Sequence, residues 1–231
     1  MGKMSYGTRG CLIGYPSSMA HQFPKVYPIL DSSFIPATGR TEFLRTLGGS
    51  LAEAGVTLLE YRNKVGAESE LLSDAAILRA ALPVGQVKLI LDDRADLVEQ
   101  VGFDGVHVDA GDATPAEARR LLGPERIIGT FGGGAAMVPG ILETPADYFS
   151  IGIVFPTRTK QTSSTPIGIE GVRRLRAEAG TAPTLVAIGG ITLTTAAEVL
   201  SAGASVIAVA GAIFRQTNPA AEFSRWVQEL G

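Results

Sequence analysis

Eight short apolar runs punctuate the chain: Val26–Leu30, Val56–Tyr61, Val87–Leu91, Gly105–Val108, Ile127–Thr130, Tyr148–Ile151, Leu185–Ile188 and Val206–Ala210. Each has the length of a strand. Each is apolar at consecutive rather than alternate positions, as expected of a strand buried on both faces. Between them the hydrophobic spacing turns helical. Thr41–Ala54 begins at a threonine cap signal and stops at Gly55, and Glu68–Ala81 stops before Pro83. Pro115–Leu122 follows Thr114, a cap residue with proline at the first helical position. Gly168–Ala179, Thr194–Ala202 and Pro219–Leu230 follow the same scheme. Eight strand-plus-helix units in about 200 residues predict a (β/α)8 TIM barrel, with an open doubly wound sheet as the alternative. Residues 1–24 carry no periodicity and are read as an irregular, mobile N-terminal extension; residues 25–231 form a single barrel domain.

In such a barrel the chemistry sits where the strands end. Glu60-Tyr61-Arg62-Asn63-Lys64 follows the second run, Asp92-Asp93-Arg94 the third, Asp109-Ala110-Gly111-Asp112 the fourth, and Thr157-Arg158-Thr159-Lys160 the sixth. Gly189-Gly190 and Ala210-Gly211 follow the seventh and eighth. Taken singly, these residues have bland readings: a solvated strand end for Arg62 and Lys64, a helix start for Asp93, a turn for Asp112. Taken together they put three cations and several carboxylates at one mouth. That mixture suits a metal–pyrophosphate complex, in which carboxylates hold the ion and Arg62, Lys64 and Lys160 hold the oxygens left free. The two glycine pairs let backbone amides approach a phosphate, and the short helix after the last strand can point at it. His107 lies in an apolar strand and reads as a hydrogen-bonded structural histidine rather than a catalytic base.

Composition narrows the chemistry. The net charge of −3 argues against a general nucleic-acid binder. The single cysteine, Cys11, removes intrachain disulfides and cysteine-cluster metal sites, and two histidines are too few for a polyhistidine zinc site. Any metal should therefore be a hard, oxygen-ligated ion such as Mg²⁺. The longest uncharged apolar stretch, Val199–Phe214, is too short to span a bilayer comfortably and is interrupted by glycine. A soluble cytoplasmic protein acting on small molecules, without a membrane or nucleic-acid partner, is expected; the sequence leaves its oligomeric state open, a homo-oligomer included.

Leu91-Asp92-Asp93-Arg94-Ala95-Asp96-Leu97, Asp104-Gly105-Val106-His107 and Asp112, with Phe155-Pro156-Thr157-Arg158-Thr159-Lys160 and Val186–Ile191, resemble the thiamine-phosphate synthase family over roughly residues 26–214. The resemblance implies an enzyme that joins hydroxymethylpyrimidine pyrophosphate to thiazole phosphate, giving thiamine phosphate and pyrophosphate with Mg²⁺ assistance. By position it implies Asp93 and Asp112 as metal ligands and Arg62, Lys64 and Lys160 as the cations on the pyrophosphate. It implies Thr130 as a pyrimidine contact, and Thr157, Thr159, Gly190, Ala210 and Gly211 around the thiazole phosphate. Tyr61, Asn63 and Arg158 are placed among the substrate contacts with them. Glu60 stands where the family usually has Gln, and Asp92 where it has Asn; both add negative charge near an anionic substrate. Two other readings stay open: a sister barrel that isomerises a thiazole carboxylate phosphate, and a non-catalytic binder of thiamine precursors.

Overall fold

The computed structural model describes residues 21–159 and 163–231. The strands are β1 (Val26–Asp31), β2 (Leu58–Arg62), β3 (Lys88–Asp92), β4 (Gly105–Val108), β5 (Ile127–Gly133), β6 (Tyr148–Gly152), β7 (Leu185–Ile188) and β8 (Val206–Val209). All pair in parallel in chain order, and β8 returns to β1, so the sheet closes into a barrel. The main helices are α1 (Arg40–Glu53), α2 (Glu68–Ala81), α3 (Val98–Val101), α4 (Pro115–Leu122), α5 (Gly168–Ala179), α6 (Leu193–Ser201), α7 (Gly211–Phe214) and α8 (Pro219–Leu230). No helix among the described residues is long and apolar enough to cross a membrane.

The barrel separates two buried layers. Leu30, Tyr61, Leu91, Val106 and Ile128 lie side by side along one register row and face the helices, within the larger apolar cluster. The adjacent row, Ile29, Glu60, Ile90, Gly105 and Ile127, faces the barrel axis. The smaller axial cluster adds Tyr27, Leu58, Tyr148, Val186, Val206 and Ala208. Both faces of most strands are thus removed from water, which is why they read as unbroken apolar runs.

Helix ends follow local chemistry where a side chain supplies it. Thr114 and Glu117 form a reciprocal capping box with Pro115 in the first turn of α4. Asn218 caps α8 ahead of Pro219, and Trp226 of that helix is fully buried. At α1 the expected cap is corrected: Thr41 lies inside the helix, which starts at Arg40 after Gly39 in the left-handed region. Of the expected N-terminal extension, residues 1–20 lie outside the described residues; Phe23 packs edge-on against Tyr148 with ring centroids 5.5 Å apart and joins the axial cluster.

Candidate active site

A cavity of about 670 Å³ opens at the C-terminal ends of the strands. Its floor is polar. The Tyr27 hydroxyl donates to Glu60 Oε2 at 3.3 Å, and His107 Nδ1 lies 3.1 Å from the Tyr148 hydroxyl. His107 Nε2 is 3.7 Å from Asp109. Burial drives the Glu60 pKa up; nearby His107 opposes this and Asp92 reinforces it, leaving Glu60 at about 7. Burial works against a charged His107, but Asp109, Glu60 and Asp92 overcome it and push its pKa up to about 9. His107 is thus both the hydrogen-bonded strand residue read from sequence and part of the cavity wall.

Replacing Glu60 with Gln checks that titration. Between the ordinary value of 4.5 and about 7, folded Glu60 holds a proton that the unfolded chain has released. Its contribution to stability is therefore present below pH 4.5 and lost as pH rises through about 7. The E60Q protein should show a flatter fall in urea midpoint between pH 5 and 7 than the parent, read at about one-unit pH intervals. Parallel curves would remove Glu60 from that role.

Above the floor stands a ladder of alternating charge. Arg62 pairs with Asp31 and lies 3.3 Å from Asp92 Oδ2. Lys64 Nζ is also 3.3 Å from Asp92 Oδ2 and pairs with Asp93. Burial raises the Asp92 pKa, as does Asp93, while His107, Lys64 and Arg62 pull against them. Burial works against the charge on Lys64, but Asp92 and Asp93 outweigh it and raise its pKa. Asp93 is the one non-glycine among the described residues with positive φ, at 68°, and its amide donates to His107 O at 2.8 Å. Strain of this kind persists where the surroundings fix it, commonly at functional sites. The Asp112 carboxyl group interacts with that of Asp93; burial first and this neighbour next raise its pKa, against a hydrogen bond from the Asp109 amide. Asp93 Oδ1 is buried and finds no hydrogen-bond partner.

Among the residues expected from sequence, Glu60, Arg62, Asp92, Thr157, Arg158, Thr159, Gly190, Ala210 and Gly211 line the cavity. Lys64, Asp93 and Asp112 stand at its rim, joined to it through Asp92 and Asp109. Lys160 lies outside the described residues. Three expected residues do not line the cavity. Tyr61 is fully buried facing the helices and donates from its hydroxyl to Asp74, because strand neighbours alternate and Glu60 and Arg62 already face the axis. Thr130 also faces outward, paired beside Val108 and Phe149, and donates to Val108 O at 3.0 Å; Phe131 takes the inward place. Asn63 shapes the loop instead of lining the cavity: its side-chain oxygen accepts from the Gly66 amide at 2.7 Å and its amide donates to Glu70 at 3.2 Å.

The sequence reading missed Asp31, Phe131, Ser150 and Arg215, all of which line the cavity. Asp31 directly follows the first apolar run and satisfies the same positional rule that singled out Arg62 and Asp92. Phe131 and Ser150 are register partners on β5 and β6.

A closed parallel barrel with a deep cleft at the strand ends, lined by fixed charges and glycine turns, is the architecture of a barrel enzyme working on small charged substrates. The sequence comparisons agree. Residues 26–213 match the family described as thiamine monophosphate synthase, and the chain belongs to that family. It is 38% identical to thiamine-phosphate synthase of Koribacter versatilis, over 81% of this chain and 88% of that protein. It is 40% identical to thiamine-phosphate synthase of Agrobacterium fabrum, over 74% of this chain and 79% of that one. Among solved structures, thiamine phosphate pyrophosphorylase from Pyrococcus furiosus superposes with a TM-score of 0.70 at 29% identity, covering 89% of this chain and 96% of that one.

Proposed function

We propose that the chain condenses hydroxymethylpyrimidine pyrophosphate with thiazole phosphate to give thiamine phosphate and pyrophosphate, breaking the carbon–oxygen bond before the new carbon–nitrogen bond forms. The observation that carries this reading is the charge ladder. Arg62 and Lys64 are held at the cavity mouth by Asp31, Asp92 and Asp93 before any substrate arrives. Fixed donors aimed at a departing diphosphate need no reorganisation as its charge grows. Lys160 is assigned to the same diphosphate on its sequence position alone. The Ile29, Phe131, Ile153 and Ile188 side chains keep the wall apolar, which strengthens charge interactions inside and shields a short-lived pyrimidine cation from water. Thr157, Thr159 and the turns at Gly190 and Gly211 hold the second substrate so that its ring nitrogen faces the methylene carbon.

The donors at the rim fit a divalent ion. Asp93 and Asp112 are hard oxygen ligands whose carboxyl groups interact, and Asp93 Oδ1 is buried without a partner. Among the described residues no group of three or more acidic, histidine or cysteine side chains forms a self-sufficient metal site. That suits Mg²⁺, which commonly takes one or two carboxylates and completes its shell with substrate phosphates and water. When bound there, Mg²⁺ would neutralise charge on the departing diphosphate.

The test is pyrophosphate release from purified protein given Mg²⁺ and each precursor alone or together. Release should need both precursors and should stop when EDTA removes the ion. Asp93→Asn should raise the Mg²⁺ concentration for half-maximal rate by about 10–100-fold. An unchanged Mg²⁺ dependence would move the ion elsewhere.

A further inference from the structure

The cavity is divided by charge. Its carboxylates, Asp31, Glu60, Asp92 and Asp109, all come from the ends of β1 to β4 or the residues just beyond. Among the described residues, the wall built after β6, β7 and β8 carries hydroxyls, glycines and arginines and no carboxylate: Thr157, Arg158, Thr159, Gly190, Gly211 and Arg215. Arg215 immediately follows α7 and sits over the Phe34 ring, its guanidinium carbon 5.2 Å from the ring centroid. Phe34 in turn stacks on Phe214 with centroids 5.9 Å apart. The guanidinium is therefore held over an aromatic face, a contact that consumes none of its N–H groups. Arg62 is already matched by Asp31 and Asp92, whereas the Arg215 side chain makes no ion pair or hydrogen bond among the described residues.

Gly211 shows where Arg215 is aimed. A methyl group built there would lie 2.8 Å from Thr159 Oγ1 and 3.0 Å from Arg215 Nε. A hydroxyl and a cation thus converge over a backbone position kept bare. Gly190, at φ 66°, lines the same wall, and a side chain there would meet the Phe155 and Pro156 carbonyl oxygens at 2.6 and 2.5 Å, so the turn packs tightly against the loop after β6. Bare backbone, a hydroxyl and an unmatched planar cation together make a receptor for a dianionic phosphate monoester. On the side of β1 to β4 the carboxylates would repel such a group.

We propose that Arg215 adds a side-chain cation to the thiazole-phosphate site already implied for Thr159, Gly190 and Gly211, and so sharpens discrimination between phosphorylated and unphosphorylated thiazole. This rests on the condensation reaction assigned above. Arg215→Ala should raise KM for thiazole phosphate about tenfold, the scale of one lost charge-assisted contact, with kcat within about twofold. KM for the pyrimidine pyrophosphate should stay unchanged, as should kcat/KM for the unphosphorylated thiazole alcohol. Arg215→Lys, which keeps charge but not the fork, should fall between. Equal losses for phosphorylated and unphosphorylated thiazole, or an unchanged KM for thiazole phosphate, would overturn the assignment. Calorimetric binding of the same two compounds gives the comparison without turnover. A wild-type protein that bound thiazole phosphate through Arg215 yet released no pyrophosphate would therefore sink the reaction and leave this site standing.

Discussion

Replacing Arg62 with alanine should lower kcat/KM for the pyrimidine pyrophosphate by about 10²–10³, the range for one preorganised donor removed from a water-poor site. Two effects act in the same direction. The departing diphosphate loses a planar double donor, and Asp31 and Asp92 lose the cation that offsets them beside an anionic substrate. Arg62→Lys should recover only part of the rate, because a point charge cannot serve both carboxylates and the diphosphate in one plane. The second loss can be separated from the first. Combining Arg62→Ala with Asp31→Asn removes one uncompensated carboxylate, so the urea midpoint should recover while the rate does not. Wild-type turnover in the single variant at limiting substrate would take Arg62 out of the reaction.

The second large effect lies beneath the site. Asp74, on α2 and only 1% exposed, accepts from Arg40 Nε at 2.8 Å and Nη2 at 2.6 Å, and from the Tyr61 hydroxyl. Asp74→Ala should destabilise the fold by about 3 kcal/mol, since removing one partner of a buried pair strands the others. Asn63 donates to the Tyr61 hydroxyl at 3.3 Å, so the same change should loosen the loop that carries Lys64 and raise KM for the diphosphate. Urea unfolding and steady-state kinetics read the two parts independently. A loss of stability below about 1 kcal/mol would mean that Arg40 and Tyr61 find other partners.

The barrel and its rim were legible because doubly buried strands write themselves as apolar runs, and the residue after each run falls at the active end. The same property hid the side-chain directions. A strand buried on both faces has no polar alternation to reveal which residues face the axis, so nothing in the apolar runs themselves tells Tyr61 and Thr130, which face the helices, from Phe131, which lines the cavity. Asp31 was recoverable by the positional rule applied to the first run. Arg215 was not, because it lies past the end of a strand, after one turn of helix, and its contact with Phe34 joins distant parts of the chain. Asn63 resembles a rim donor in sequence, yet its amide and carbonyl are consumed by the loop it organises.

The left-handed backbone at Asp93 limits what neutral drift can place there. Asparagine and glycine tolerate that conformation alongside aspartate, whereas a glutamate would bring both torsional cost and a longer reach. For the proposed Mg²⁺ site, lengthening the acid at this position is therefore a poor route to a roomier coordination sphere, and adaptation to a larger cation would have to proceed through Asp112.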